Sequence, residues 1–95
     1  MRRRIALDDC WIHVFEETIF GGRGRLLGVG DRAAINKVRS LIVGPGAIAK
    51  VVIRDGREVI SLPPRKLVTD FSKVSTRKDV AHVRVVRAGL KDHLS

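Results

Sequence analysis

Apolar and polar residues alternate along much of this chain, and Gly, Pro or Asp-Gly interrupts the alternation at intervals of roughly ten residues. A period of two puts successive side chains on opposite faces of an extended backbone, so the pattern predicts an all-β chain of about eight short strands, a sandwich or a barrel. Residues 10–16 form the first expected strand and 25–29 the second. Residues 40–43 make an aliphatic run that Gly44-Pro45-Gly46 stops, because Pro45 lacks a ladder donor and the glycines invite positive φ. Residues 50–54 and 57–62 flank Asp55-Gly56, a pair suited to a type I′ hairpin turn, and Pro63-Pro64 end that hairpin. Residues 67–71 and 80–86 complete the set, the last alternating Val80, His82 and Arg84 against Ala81, Val83 and Val85. The ends, 1–4 and 91–95, read as polar tails without a core role.

A chain of 95 residues supports one core, so a single domain over 1–95 is expected. Aromatic residues are 4% of the chain against 44% for all hydrophobic residues, which makes the expected core aliphatic. Lys and Arg number 19 and Asp and Glu 10, for a net charge of +9. That balance attracts polyanions, and Arg2-Arg3-Arg4, Arg23, Arg25, Arg65-Lys66 and Arg77-Lys78 are the candidate contacts for nucleic acid or another polyanion. The aromatic platforms that accompany single-strand binding are scarce. Cys10 is the single cysteine, which excludes an internal disulfide and favours a reducing compartment. Asp8 and Asp9 break the apolar run that a signal peptide would need after the basic start, and no stretch approaches the length of a membrane span. A cytoplasmic protein without a membrane role is therefore expected.

Catalytic chemistry finds little footing. His13, His82 and His93 share no metal-ligand spacing. The carboxylate pairs Asp8-Asp9 and Glu16-Glu17 are adjacent in sequence, so their members point to opposite faces of a strand. No catalytic residue is assigned, and the chain is read as a non-enzyme. Gly28-Val29-Gly30-Asp31-Arg32-Ala33 fits a G-x-G-x-x-A dinucleotide fingerprint, with residues 34–41 as its helix and Asp55 as the distant acid. A small dinucleotide-binding α/β domain through Gly28–Ala33 is thus one alternative, and a basic nucleic-acid-binding β-domain is another.

The stretch Phe15-Glu16-Glu17-Thr18-Ile19-Phe20-Gly21-Gly22 holds two of the three Phe residues, an aromatic, four residues, an aromatic, one residue and Gly. It resembles the folded-hairpin signature of the βγ-crystallin Greek key, of the microbial type. The segment Ile35-Asn36-Lys37-Val38-Arg39-Ser40 before the strand Leu41-Ile42-Val43 resembles the family's Asn/Asp-Asn/Asp-x-x-Ser/Thr-Ser segment. The resemblance spans about 10–88. It implies a sandwich of two Greek keys in which Phe20 packs on Phe15, Gly22 takes φ > 0, and the Ser40 hydroxyl bonds the hairpin. The second half carries no second aromatic signature, and Arg77-Lys78-Asp79-Val80-Ala81-His82 stands where its second segment would be.

Members of this family commonly bind calcium through oxygen ligands in these segments. Here Arg39 and Ala81 occupy the places of the hydroxyl ligand, and Ile35 and Arg77 the first places. A guanidinium about 4 Å from a dication costs on the order of 4 kcal/mol per unit charge at an effective dielectric of about 20. The remaining candidate ligands are Glu16, Asn36 and Ser40, together with Glu17 and, in the second segment, Asp79. No cofactor is expected, and any calcium binding is expected to be weak or lost, with Arg39 standing in for the cation against nearby carbonyls or Glu16. What the resemblance implies is a structural or interaction domain, with a homo-oligomer left open.

Overall fold

The computed structural model of the protein describes residues 9–75 and 78–89. Eight strands run in order as β1 (Trp11–Phe15), β2 (Gly24–Gly28), β3 (Arg32–Ala34), β4 (Ser40–Val43), β5 (Ala47–Ile53), β6 (Glu58–Leu62), β7 (Leu67–Val68) and β8 (Val80–Arg87). Two short 3-10 turns interrupt them, η1 (Ile35–Lys37) and η2 (Phe71–Lys73). The strands pair antiparallel in two sheets, one ordered β2-β1-β4-β7 and the other β3-β8-β5-β6. Each consecutive set of four makes a Greek key whose third strand has crossed to the other sheet, β3 from the first set and β7 from the second. The exchange locks the two halves together, because neither sheet is complete without a strand from the other half.

Alternation fills the space between the sheets. Ile12 and Val14 of β1, Leu27, Leu41 and Val43 face Ala47, Ala49 and Val51 of β5 with Val83 and Val85 of β8, all buried. The core is aliphatic apart from Phe71 and Cys10. The expected strand 67–71 ends at Val68, and Phe71 enters the core from η2, where Asp70 caps the turn by accepting the Ser72 N–H at 3.1 Å.

The alternation expected for 80–86 is corrected at its start. Val80 pairs with Ile53 while His82 pairs with Val52, so Ala81 is an extra residue on β8, a β-bulge. The bulge shifts the parity by one, and Val80 is buried in the core instead of sharing the face of His82 and Arg84. The Asp55-Gly56 turn is also different from the type I′ expectation. Gly56 has φ +96°, but Asp55 is not among the residues with positive φ. The Gly56 N–H donates to Ile53 O and the Ile53 N–H to Arg57 O, giving a three-residue loop with a left-handed glycine at its end. At Gly44-Pro45-Gly46 neither glycine has positive φ. Gly44 is required for space, since a Cβ there would lie 2.8 Å from the Trp11 ring.

The Gly28–Ala33 run is a strand-to-strand turn. The Gly28 N–H donates to the Asp31 carboxylate at 2.9 Å, the Asp31 N–H returns to Gly28 O at 2.9 Å, and β3 follows directly. A dinucleotide fingerprint needs a helix N-terminus against the pyrophosphate, and residues 34–41 supply β3, η1 and β4 instead. That alternative is overturned. Among the described residues no helix is long and apolar enough to cross a membrane.

Candidate functional site

The connection between β1 and β2, residues 16–23, folds back over the outer face of the first sheet. The alternation that turns Val14 inward turns Trp11, His13 and Phe15 outward, and there the His13 ring stacks on Phe15 with centroids 4.3 Å apart. Phe20 meets Phe15 edge-on, with centroids 5.7 Å apart and planes at 61°. Ser40 lies opposite Phe15 in the ladder and faces the same way, beneath the hairpin, fully buried. Its hydroxyl donates to Glu17 O at 2.6 Å and accepts the Phe20 N–H at 2.9 Å. Gly22 has φ +73°, and a Cβ on it would come within 2.9 Å of Glu17 Cγ.

Two further residues of the hairpin are left-handed, Ile19 at φ +54° and Phe20 at φ +57°. For residues with a Cβ this costs roughly 1–2 kcal/mol each. The conformation is held from outside: Ser40 takes the Phe20 N–H, and Thr69 O, next to β7, takes the Ile19 N–H at 2.8 Å. Nothing in the local sequence signals it, because both acceptors belong to other parts of the chain.

Beside the hairpin lies an open basin of about 600 Å³ lined by Glu16, Glu17, Thr18, Asn36, Lys37 and Arg39. Glu16 and Asn36 thus share it, while the Ser40 hydroxyl is turned into the hairpin. Arg39 is fastened through its backbone, donating to Phe15 O at 2.8 Å and accepting the Phe71 N–H at 2.7 Å. Among the described residues no hydrogen bond or ion pair joins its guanidinium to Glu16, which corrects the expected pairing. The guanidinium also borders a neighbouring groove with Asp70. Hydrogen bonds from the Ser72 hydroxyl and N–H, together with the charges of Lys73 and Arg39, hold the Asp70 carboxyl below its ordinary range. Lys37 is a second cation in the basin that the motif comparison passed over, because it stands at an unspecified place of the segment. Among the described residues no group of three or more His, Cys, Asp or Glu is placed to hold a metal.

The second half has no counterpart of this basin's hairpin, since β5 and β6 join by the tight turn at Asp55-Gly56. Ala81 sits at the bulge in β8, and Asp79 O accepts the Arg54 N–H at 2.8 Å. Arg2, Arg3, Arg4, Asp8, Arg77 and His93 lie outside the described residues.

No family model matches the chain, and no curated protein matches it. Solved structures do. The βγ-crystallin domain of the Abundant Perithecial Protein of Neurospora crassa, in its Ca2+-bound form, superposes with a TM-score of 0.61 at 19% identity over 87% of this chain and 94% of that one. A second structure of the same fungal protein gives a TM-score of 0.64 at 19% identity over 84% of this chain and 40% of that one. The fold is that of a βγ-crystallin domain. The exchanged third strands and the folded hairpin are therefore features of a βγ-crystallin-like sandwich, with the hairpin built in the first Greek key and absent from the second.

Proposed function

We propose that this βγ-crystallin-like domain is a non-enzymatic structural or interaction module whose calcium site has decayed. The observation that carries the reading is the basin beside the folded hairpin, where Lys37 and Arg39 share the lining with Glu16, Glu17 and Asn36. Two cations there repel a dication and compete with it for the carboxylates, and Ser40, the nearest hydroxyl in the segment, serves the hairpin. Several titratable groups have structural duties. Cys10 is buried, with its thiol against Val86 O, Asp31 and Asp55 close turns, and Asp70 caps η2.

A thermal melt in 1 mM calcium and in chelator tests this. A site in the folded state with a Kd of about 10 μM would add about 2.7 kcal/mol, a rise of roughly 10 °C or more for a domain of this size. The expected result is no shift for the natural sequence. Arg39→Ser with Lys37→Gln strips both cations from the basin and is expected to create a calcium-dependent rise. Ile35 is left alone, because it packs against the core. A natural chain that already melts several degrees higher in calcium would show that the site is intact.

A further inference from the structure

Where the two sheets end at β2 and β3, the sandwich opens into a cleft of about 460 Å³. Its walls come from both sheets: Arg23 and Arg25 on one side, Arg32 and Lys37 on the other, with buried Val14 behind and Glu16 as the sole carboxylate on the lining. Arg25 reaches it because β2 turns Leu27 into the core, and two residues earlier the same parity aims Arg25 inward opposite Val14, at the open end. Its guanidinium donates to Arg32 O at 2.8 Å, which fixes the plane of the fork and leaves further N–H donors. Both bordering strands are sheet edges.

The charge in this cleft is only partly compensated, four cations facing the one carboxylate of Glu16. Among the described residues no ion pair engages Arg23, Arg25, Arg32 or Lys37. Arg32 belongs to a row that continues across the second sheet through Arg84 and Lys50, yet Arg84 and Lys50 both pair with Glu58. Like charges opposite each other in a ladder are destabilising, and Arg32 stands opposite Arg84. His82, one row away, is held below its usual value of 6.5 by burial first and by the charge of Arg32 second.

We infer that the β2–β3 cleft is a binding site for a compact oxyanion, a phosphate group carried by a small ligand. The volume falls within the roughly 300–1,000 Å³ of small-molecule sites. A nucleic-acid strand would need an unbroken positive track along the outer sheet, and there Glu58 interrupts it by pairing with both Lys50 and Arg84. The cleft shares Glu16 and Lys37 with the basin beside the hairpin, and Arg25, which lines the cleft and not the basin, separates this inference from the calcium reading.

Backbone amide shifts recorded while sodium phosphate replaces sodium chloride at constant ionic strength test it. Saturable shifts confined to 23–27 and 32–37 are expected. Arg25→Gln and, separately, Lys37→Gln should weaken binding about tenfold, the loss of one charge-assisted hydrogen bond. Arg65→Gln, which removes the same charge elsewhere, should leave it unchanged. Lys37→Gln guards against a failure of Arg25→Gln to fold, because among the described residues the Lys37 side chain makes no hydrogen bond or ion pair. No saturable shift with phosphate, or an equal loss with Arg65→Gln, overturns the site. So does a twelve-residue oligothymidylate whose shifts spread over β5 and β8 and persist in Arg25→Gln, since that result would assign the positive charge to a polymer.

Discussion

One hydroxyl holds the hairpin. Ser40, itself fully buried, accepts from one main-chain group and donates to another across some twenty residues of sequence. Ser40→Ala removes one atom and leaves the Phe20 N–H and the Glu17 carbonyl without this partner. The expected cost is about 1–2 kcal/mol, the loss of two part-buried hydrogen bonds that hold a backbone strained at Ile19 and Phe20. Chemical denaturation of the pair of proteins reads it, and a loss under about 0.5 kcal/mol would mean that the hairpin stands without the serine. The spacing of Phe15, Phe20, Gly22 and Ser40 was legible through its resemblance to the βγ-crystallin hairpin signature. The left-handed Ile19 was not, since an exposed Ile, 73% accessible, carries no sign of the Thr69 carbonyl that holds its N–H.

Between neighbouring strands, close approach and register decide more than propensity does. Gly44 ends β4 against the Trp11 ring and donates its N–H to Trp11 O at 2.8 Å, so the first sheet has no room for a side chain there. Gly44→Ala is expected to destabilise by about 2–3 kcal/mol, because a Cβ would meet the Trp11 ring and backbone oxygen, both at 2.8 Å, and the backbone has no second rotamer. The denaturant midpoint should fall with an unchanged m-value. A neutral substitution would show that the β1–β4 seam can part freely. The bulge at Ala81 acts at the same scale: by adding one residue to β8 it brings Val80 inward and lets β8 follow β5 along its whole length.

Across the whole molecule the two outer faces differ. The first sheet presents Leu26, His13, Ile42 and Leu67 in one cross-strand row, with Leu26 and Leu67 at 52% and 58% exposure. The second presents Lys50, Arg84 and Arg32, with His82 in the next row. Stability is therefore expected to depend on pH in two windows. The folded state holds His82 below 6.5, so the unfolded chain binds the proton more tightly, and stability falls as pH drops from about 6.5 through the depressed value. Asp55, held low by the Arg57 N–H first, and Asp70, held low by Ser72, contribute stability above 3.8 that is lost as pH falls below it. A melting series from pH 8 to pH 2 checks both. His82→Gln should flatten the upper window alone, and a variant that kept the upper slope would move its origin to another group.

By itself the sequence determined what depends on neighbours along the chain: the all-β class, about eight strands and an aliphatic core. These are period and residue-type effects, and they operate within a few residues. Tertiary structure alone decided which sheet each strand joined. The exchange of β3 and β7 follows from closing both sheets at once, and no local pattern distinguishes a third strand that stays from one that crosses. It also decided what the charges do, because Arg23, Arg25, Arg32 and Lys37 converge only where the edges of two different sheets meet, and residues distant in sequence learn of each other's fields only once the chain has folded.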